Sequence, residues 1–526
     1  MDQTGGRISF ELDGAPVEVA VGATLSLLDV LRGQLGCRSV KDGCSPQGQC
    51  GCCTVLVDGQ PRVACVTPAR RVAGRRVTTL DGLDPARRDA WADAFCATGA
   101  SQCGFCTPGI VVRLDGLAAA RPDADRGAVH QALLAHLCRC TGWRTILDAW
   151  DAVMAGEPGD RSAGPPRDLV AAARRAELEG GVPQRVGPEV ALGRGGFAAD
   201  TAPDDALVAL GDGTGGWVVG ETLAEARAAL SKVQGRRTTV AHSWPLEVPD
   251  GSWAATLRTT WVEPAYLEPD ASWCRPGGEP ASPVANGGAF GAKLRSPVPA
   301  AARELADLHG RPVLALASRE DATRLGPKRP PVAGGIHPDG TGVLRVVRTP
   351  GVAAAVASVA PGLTVEEVDV AGPPTSADLR AAGWAEALVL ASAVQPGAAP
   401  GVPVAVTAPG GARAEAVVDG GTIRVRVRCG TPLDEVVLRS YAIGAAHMAW
   451  SWVTSEALTV GPDGDPVDLT IRSFGVVRAV DTPPIEVEIE PDDSAPVNGS
   501  DAVFAAVAAA TWRATGHRPD WPTGSP

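Results

Sequence analysis

The sequence predicts a multidomain α+β protein: a small α+β domain, then a helical domain, then a longer mixed α/β region. The chain has 526 residues, which is beyond the size at which a single hydrophobic core stops growing. Apolar residues alternate at a period of two near the N-terminus and follow a helical period from about residue 85 onward. The long remainder is rich in alanine, glycine, proline and valine and mixes helix and strand signals.

The first 82 residues predict two β-hairpins with a helix and a cysteine-rich loop between them. The hairpins turn at Asp13-Gly14 and Asp58-Gly59, dipeptides that favour the tight turns of antiparallel strands. Thr24 is expected to cap the helix, which should end near Gly36. We assign this segment to a first domain, residues 1–82.

The next segment, residues 83–155, has a helical pattern and predicts an antiparallel bundle, because its connections are short. The predicted helices lie near residues 87–97, 108–119, 127–137 and 143–154. Thr107 is expected to cap the second helix, with Pro108 at its first position. Residues 156–167 have the glycine and proline content of a linker.

The third region, residues 168–526, gives clear signals at a few places only. A helix over 299–308 should end at Gly310 and lead into a buried strand over 312–317. Ile423, Val425 and Val427 alternate with arginines and predict a strand with one solvated face. Ser500 is expected to cap a last helix that runs to about Ala514.

Charge and composition exclude several classes of function. The formal net charge is −12, which argues against binding to nucleic acid or to an anionic membrane surface. No apolar run approaches the roughly 18 residues of a membrane span. The first residues lack the pattern of a secretory signal, so a cytoplasmic location is expected. In such a compartment clustered cysteines indicate metal binding rather than disulfides.

Eleven of the 13 cysteines fall at or before residue 140, and eight of them form two sets with ligand-like spacing. The first set is Cys44, Cys50, Cys53 and Cys65. The second set is Cys103, Cys106, Cys138 and Cys140. Three loop cysteines and one distant partner, among glycines, favour an iron–sulfur cluster in the first set. Zinc is an alternative for the second set, but its C-x-C pair is less usual in zinc ribbons.

These motifs carry a specific resemblance over residues 6–155. The segments Asp42-Gly43-Cys44, Gln49 to Val55, Gln102 to Gly109 and Leu137 to Gly142 resemble the two-[2Fe–2S] module of the xanthine dehydrogenase/aldehyde oxidase family. The resemblance implies a β-grasp, plant-type ferredoxin-like domain followed by a four-helix [2Fe–2S]-binding bundle. It also implies one [2Fe–2S] cluster in each cysteine set, with the second set nearer the molybdenum.

The first cysteine loop departs from the family pattern. Five residues instead of four separate Cys44 from Cys50, and Cys52 stands where a small residue is usual. We assign Cys50 and Cys53 as ligands because their surroundings match, while Cys52 remains an alternative to either. Cys37 and Cys96 are expected to be small buried residues.

Parts of the third region resemble the molybdopterin-binding subunit of the same family, in the family's order. Leu267-Glu268-Pro269 matches a signature, and residues 286–293 match a glycine-rich cofactor loop. The resemblance implies Gly287, Gly288, Phe290 and Gly291 as candidate molybdopterin-binding residues. The family's arginine-bearing loop is replaced by residues 369–373, and Asp501 stands near the place of the catalytic glutamate, although its alternative role is to complement the helix dipole.

The resemblance implies an iron–sulfur oxidoreductase polypeptide of a molybdenum hydroxylase. Electrons would pass from a molybdenum centre, which oxidises a small-molecule substrate, through two [2Fe–2S] clusters to an external acceptor. Molybdopterin is expected either in this chain or in a partner subunit, and no FAD or NAD motif is evident, so an FAD-binding partner is also expected. The alternative is a non-catalytic scaffold that carries the clusters, with molybdenum on a separate chain. A zinc-stapled binding module is the third alternative.

Overall fold

The N-terminal region forms a five-stranded mixed sheet with one helix against it. The computed structural model describes residues 6–22, 24–156, 167–230 and 241–526. The strands are β1 Gly6–Leu12, β2 Ala15–Val21, β3 Thr54–Val57, β4 Gln60–Val63 and β5 Arg76–Thr78, in the order β2-β1-β5-β3-β4. Strand β1 is antiparallel to β2 and parallel to β5. The hairpin turns lie where the sequence predicts them, with Asp13 and Asp58 at positive φ.

The helix of this region starts later than predicted. Helix α1, Leu27–Asp29, continues as a π-helical turn over Val30–Gln34. The cap is Ser26, whose hydroxyl accepts from the backbone N–H of Asp29 at 3.2 Å, while the Asp29 carboxylate accepts from the Ser26 backbone N–H. Thr24 is therefore not the cap, because the reciprocal capping box needs an acid three residues later, and only Ser26 has one.

Four α-helices follow near the predicted positions. They are α2 Pro85–Thr98, α3 Thr107–Ala120, α4 Arg126–Ala132 and α5 Arg144–Met154. Helix α4 is shorter than predicted, because the chain tightens into a 3₁₀ turn over Leu133–Ala135. The prediction of a Thr107 cap is wrong: Thr107 is the first helical residue, and its hydroxyl lies 3.1 Å from that of Ser101.

The described part of the third region contains three four-stranded sheets. Their orders are β7-β6-β10-β9, β13-β12-β11-β8 and β14-β15-β16-β17. The strands are β6 Leu207–Gly211, β7 Trp217–Gly220, β8 Ala255–Arg258, β9 Ala271–Cys274, β10 Val313–Leu316, β11 Val332–Ile336, β12 Gly342–Val347, β13 Leu363–Val368, β14 Val404–Thr407, β15 Arg413–Asp419, β16 Thr422–Arg428 and β17 Ile485–Ile489. The helices are α6 Leu169–Gly180, α7 Pro188–Ala191, α8 Ala198–Thr201, α9 Leu223–Ala229, α10 Val298–His309, α11 Arg319–Leu325, α12 Val352–Ala357, α13 Trp384–Ser392, α14 Glu435–Thr454 and α15 Ser500–Ala514.

Several local predictions for this region agree with these elements. The strand with alternating arginines is β16, and its buried residues Ile423, Val425 and Val427 face the core. The exposed arginines of β16 pair with acids of β17, as Arg424 does with Glu486 at 3.0 Å. Exposed pairs of this kind add little stability, so the strand is held by its apolar face.

Helices α14 and α15 form the core of the third region. Trp452 of α14 stacks on Phe504 of α15 with ring centroids 5.2 Å apart, and Trp521 meets Trp452 edge-on at 4.7 Å. Both helices are buried along almost their whole length, which explains why α14 is apolar all round rather than striped. None of the helices in the described ranges combines the length and the apolar character that crossing a membrane requires.

Helix α14 also contacts the second cysteine set directly. The side-chain amide of Gln102 donates to the carbonyls of Cys140 and Ser440 at 3.0 and 3.1 Å, and the Ser440 hydroxyl donates to Gly99 O at 2.6 Å. A Cβ atom at Gly444 would overlap the carbonyl oxygen of Cys140. The helical domain and the third region therefore share a closely packed contact. The predicted linker falls largely outside the described residues, and the domain boundaries stay predictions.

The contact at Gly444 predicts a stability effect. In Gly444→Ala the added methyl must push α14 away from Cys140, and we expect a loss of about 1–3 kcal/mol in the free energy of unfolding. Thermal unfolding of the purified protein measures it. The control is Gly33→Ala, at a helical glycine whose added Cβ would meet no atom within 4 Å. An unchanged midpoint in Gly444→Ala would contradict this packing.

Candidate functional site

The first cysteine set lies in the loop before β3 and at the end of β4. All four cysteines are buried, and the Cys44 sulfur lies within hydrogen-bonding distance of those of Cys50 and Cys65, while Cys65 also neighbours Cys53. Hydrogen bonds from these two thiols and from the backbone N–H groups of Gln49 and Gln47 hold the pKa of Cys44 well below its usual range. The structure thus brings the four predicted residues together around a stabilised thiolate.

Backbone N–H groups point at these sulfurs. The N–H of Gln47 donates to Cys44 Sγ at 3.2 Å, and that of Cys65 donates to Cys53 Sγ at 3.4 Å. Gly48 and Gly51 have φ values of 70° and 74°, so the loop bends in a conformation that L side chains rarely adopt.

Cys52 lies beside the first set rather than apart from it. Its sulfur is within hydrogen-bonding distance of Cys50. A Cβ atom on Gly43 would lie 3.0 Å from Cys52 Sγ and 3.1 Å from Cys50 Sγ. The two sulfurs therefore face the same space. Our assignment of Cys50 as the ligand, with Cys52 as the alternative, stays a prediction.

The second set joins the start of α3 to the segment before α5. Cys140 Sγ lies 3.7 Å from Cys103 Sγ, and Cys138 Sγ lies 3.1 Å from the Thr141 hydroxyl. Hydrogen bonds from Cys106 and Thr141 lower the pKa of Cys138 to about 6, against the effect of burial. This set thus also brings its four cysteines together, with Cys138 as the stabilised thiolate.

The two sets are held against each other by backbone contacts. A Cβ atom on Gly109 of α3 would lie 2.8 Å from the carbonyl oxygen of Cys52 and closer still to that of Gly51. The N–H of Leu137 donates to Cys50 O at 3.0 Å, and the His136 ring lies 3.1 Å from the Thr54 hydroxyl. Each cysteine loop is thus a packing partner of the other.

The donor atoms fit iron–sulfur clusters. Such clusters take thiolate ligands whose sulfurs accept hydrogen bonds from the backbone, and both sets supply buried or half-buried thiols that are not joined in disulfides. In the described ranges, no three His, Cys, Asp or Glu side chains are arranged to hold a single metal ion. Cys37 and Cys96 are only half-buried, contrary to the expectation that both are buried.

The predicted molybdopterin loop lies next to the second cysteine set. The Asn286 side-chain amide donates to Cys103 O at 2.8 Å and accepts from the Arg185 N–H at 2.8 Å. Phe290 has φ 58°, and Gly291 has φ 95° with its Cα packed against the carbonyl of Asp378. A larger residue than glycine cannot stand at 291, which explains that part of the motif.

Phe290 and Asp501 are brought together by an arginine that the sequence analysis missed. The guanidinium of Arg380 lies 5.1 Å from the centre of the Phe290 ring, and its Nε lies 3.0 Å from Asp501 Oδ1. Arg380 Nη2 also donates to the Ser500 hydroxyl at 3.2 Å. Burial raises the pKa of Asp501, and the charge of Arg380 opposes that effect.

Residues 369–373, which stand in the sequence where the family has an arginine-bearing loop, are not the source of the arginine beside Asp501. Asp369 is exposed and pairs with Arg348 at 2.7 Å, so residues 369–373 do not supply the group beside Asp501. The signal for Arg380 is weak, because it is one arginine in the short run Leu379-Arg380-Ala381. Only the fold shows that this run packs on the glycine loop, where the N–H of Arg380 donates to Phe290 O at 3.0 Å.

Ser500 does not cap α15, because a distant carboxylate occupies the helix N-terminus. Glu179 of α6 accepts from the N–H groups of Gly499 and Ser500 at 3.1 and 2.8 Å. Asn498 Oδ1 accepts from the Asp501 N–H at 3.0 Å. Glu179 is itself fully buried and paired with Arg175. An anion at this position is stabilised by the free N–H groups and by the helix dipole.

A small cavity of about 30 Å³ lies beside this network. Its charged lining residues are Arg139, Glu263, Arg329, Arg380 and Glu456. Arg139 belongs to the C-x-C motif and forms a bidentate ion pair with Glu456, with N–O distances of 2.6 and 2.7 Å. The space is enough for one or two water molecules, and the arginines around it are already bound to protein oxygens.

His447 of α14 is a buried neutral base near the C-x-C motif. Its Nε2 lies 3.1 Å from Val477 O, and the side chain is fully buried. Desolvation, reinforced by the charge of Arg139, lowers the pKa of His447 to about 3. His447 is therefore a core residue of α14.

The N-terminal part of the chain is similar in sequence to known proteins. Residues 79–151 match the family model for a [2Fe-2S] binding domain. The chain is 36% identical over 141 residues to a subunit of the probable xanthine dehydrogenase of Bacillus subtilis, with 27% of this chain and 81% of that protein covered. It is 38% identical over 143 residues to the nicotine 6-hydroxylase small subunit of Paenarthrobacter nicotinovorans, which covers 27% and 86%.

Longer relatives match over the same part. The aldehyde oxidoreductase of Megalodesulfovibrio gigas is 42% identical over 142 residues, 26% of this chain, and the matched segment spans only 16% of that protein's length. A solved structure of the aldehyde oxidoreductase from Desulfovibrio gigas superposes with a TM-score of 0.71 at 16% identity, covering 99% of both chains. The likeness in the third region is therefore one of fold.

The environment of His447 predicts a pH effect on stability. Its pKa is about 6.5 in an unfolded chain and about 3 in the fold, so protons bind preferentially to the unfolded state between these values. Stability should fall by about 1.4 kcal/mol per pH unit from this group as the pH drops below about 6.5. In His447→Gln this contribution is absent, and the thermal midpoint should fall less between pH 7 and pH 5.

The control for this measurement is His309→Gln, at an exposed position on α10. That variant should follow the wild-type pH dependence. Equal slopes for wild type and His447→Gln would contradict the assignment of a buried neutral imidazole.

Proposed function

We propose that the chain, which belongs to the xanthine dehydrogenase/aldehyde oxidase family of molybdenum hydroxylases, is an electron-transfer polypeptide. It would carry two [2Fe–2S] clusters. Cys44, Cys50, Cys53 and Cys65 would hold one cluster and Cys103, Cys106, Cys138 and Cys140 the other. Electrons from a molybdenum centre that oxidises a small molecule would pass through the second set and then the first to an acceptor on an FAD-binding partner.

The observation that carries this proposal is the packing of the two cysteine loops on each other. Gly109 meets the carbonyls of Gly51 and Cys52, and Leu137 N–H binds Cys50 O. Electron transfer needs redox centres held at fixed close positions, and this contact fixes them without a flexible joint. A single structural metal staple would not require two such sets side by side.

The chain's own residues then have definable roles. Bound clusters supply one-electron redox chemistry. The backbone N–H groups of Gln47 and Cys65 stabilise ligand sulfurs of the first set, and the Thr141 hydroxyl does so for Cys138. Burial limits the access of water to both sets, and together with hydrogen bonding it sets the potential of such centres. We assign residues 1–82 to a β-grasp, ferredoxin-like domain and 83–155 to the four-helix cluster-binding domain.

A second candidate concerns the third region, which would serve as a scaffold while a partner subunit holds molybdopterin. Two contacts favour it: Asp501 is paired with Arg380, and the Glu179 carboxylate occupies the N-terminus of α15. A general base must reach the proton that it abstracts, and the position of Asp501 is fixed by the contact of its Oδ1 with Arg380 Nε at 3.0 Å. In this candidate, none of the four loop residues binds a cofactor: Gly287 packs near Cys103, and Gly288, Phe290 and Gly291 pack against Val182, Arg380 and Asp378 of the third region.

Substitution of single cysteines tests the two-cluster proposal. Anaerobically purified protein should contain about four irons and equal acid-labile sulfide, two per cluster. Cys44→Ser and Cys138→Ser should each lose about half of both and one EPR signal, a different signal in each variant. Cys52→Ser should keep both signals. The matched variant Cys50→Ser should lose the signal of the first cluster. Stoichiometric zinc without sulfide would refute the proposal, and loss of a signal in Cys52→Ser alone would move the ligand to Cys52.

Metal analysis separates the scaffold from a complete hydroxylase. Under the scaffold candidate, the purified chain contains iron and sulfide but no molybdenum, and Asp501→Asn leaves both cluster EPR signals in place. Stoichiometric molybdenum that stays with the isolated chain would favour a molybdopterin site in the third region. Inductively coupled plasma mass spectrometry of the same sample measures iron and molybdenum together.

A further inference from the structure

Arg319, at the start of α11, is a fully buried cation that belongs to the third region but reaches the first cysteine loop. Its Nη2 donates to Gly43 O at 3.1 Å and to Leu267 O at 3.4 Å. Its Nε and Nη1 have no hydrogen-bond partner among the described residues. A buried guanidinium with two unpaired nitrogens is costly unless something compensates its charge.

Other buried cations in this part of the molecule are paired with carboxylates. Lys328 pairs with Glu263 at 2.9 Å and Lys293 with Glu268 at 2.8 Å. In the described ranges, no carboxylate lies within 4 Å of the Arg319 guanidinium. The next residue, Glu320, turns its carboxyl to the side-chain amide of Gln47, which donates to it at 2.9 Å. The Arg319 charge is therefore uncompensated by ion pairing within the described protein.

The packing around Arg319 shows what it faces. The ring of Tyr266 lies on one side, 5.3 Å from the guanidinium carbon. On the other side is Gly43, the residue before Cys44. A Cβ atom on Gly43 would lie within 3.0–3.2 Å of the sulfurs of Cys52 and Cys50 and of the same Leu267 oxygen that accepts from Arg319. One peptide group thus separates the cation from the sulfurs of the first set.

We propose that Arg319 is the counter-charge of the iron–sulfur cluster held by the first cysteine set and that it raises the reduction potential of that cluster. This inference rests on the proposed function. A [2Fe–2S] cluster with four thiolate ligands is an anion, and its one-electron reduction adds one negative charge without making or breaking a bond. A fixed cation stabilises the reduced form more than the oxidised form, and the low-polarity surroundings strengthen this effect.

The proposal gives the third region a part in electron transfer. The first cysteine set lies in residues 44–65, yet its compensating charge comes from residue 319 of the same chain. Arg319 would act through the electrostatic field and through Gly43, without binding the cluster itself. A higher potential at the first set, relative to the second, favours the flow of electrons outward.

The test is an EPR-monitored redox titration, with dithionite and mediators, of wild type, Arg319→Met, Arg319→Gln and Arg319→Lys. Met keeps an unbranched apolar side chain without charge, Gln keeps a donor without charge, and Lys keeps the charge. In both neutral variants we expect at least a tenfold lower ratio of reduced to oxidised first cluster at a fixed potential, about 59 mV for one electron. The second cluster should move less, and Arg319→Lys should stay near wild type.

The matched control is Arg513→Met, which removes a buried arginine of α15 that binds carbonyls of Ser392, Val402 and Pro403 and contacts neither cysteine set. Its potentials should equal those of wild type. An unchanged first-cluster potential in the neutral variants, or an equal shift in Arg319→Lys, would overturn the inference.

Iron and sulfide analysis accompanies each titration. Selective loss of the first cluster in both neutral variants, with retention in Arg319→Lys, would also support charge compensation. Loss of both clusters in all three variants would assign Arg319 a purely structural role and overturn the inference. A wild-type protein without clusters would refute the proposed function itself, which keeps the two failures distinguishable.

Discussion

The contact between Gly109 and the carbonyls of Gly51 and Cys52 is the constraint on which the rest of the structure depends. At position 109 no side chain larger than that of glycine fits between helix α3 and the first cysteine loop, so the two backbones are in direct contact there. Around this point one continuous core includes Cys52, Cys106 and Trp150, and residues of the third region such as Ile471 also belong to it. The cysteine sets thus lie against a core shared by all three parts of the chain.

Buried charge is the second organising feature, and it is mostly neutralised in pairs. Arg139 with Glu456 joins the C-x-C motif to the end of α14, and Arg329 with Glu386 at 2.7 Å lies under the stacked ring of Trp452. Such pairs contribute little net stability compared with apolar contacts, but removal of one partner is costly. They therefore fix one arrangement of the third region against the cysteine sets. Among the described residues, Arg319 and Arg513 are buried arginines that bind carbonyls instead of carboxylates, and of these two Arg319 lies beside a cysteine loop.

The sequence predicts what depends on local chemistry. The hairpin turns at Asp13-Gly14 and Asp58-Gly59 follow from backbone preferences, and the eight cysteines follow from spacing. Errors occur where two local candidates compete: Thr24 and Ser26 are both good caps, and only the acid at position 29 decides between them. Arg380, Glu179 and Arg319 were missed for a different reason. Their partners lie far away along the chain, 276 residues in the case of Arg319 and Gly43, and no local pattern encodes such a contact.

The surroundings of Asp501 bear on what the third region does. Burial raises the pKa of Asp501 and the charge of Arg380 opposes that rise, while Arg380 Nε holds Asp501 Oδ1 in place at 3.0 Å. Glu179 satisfies the N–H groups of α15 that an external anion would otherwise find open. Asp501 and the N-terminus of α15 therefore each have a partner within the chain itself.

Arg319 shows the opposite balance, because two of its nitrogens have no hydrogen-bond partner among the described residues beside the first cysteine loop. The Asp501 end of the third region is closed by its own ion pair and helix cap, whereas the Arg319 end presents a cation one peptide group away from cysteine sulfurs. Within the described residues, the third region thus directs an unpaired buried charge toward the first cysteine set. This distribution supports the proposal that the third region takes part in electron transfer through Arg319.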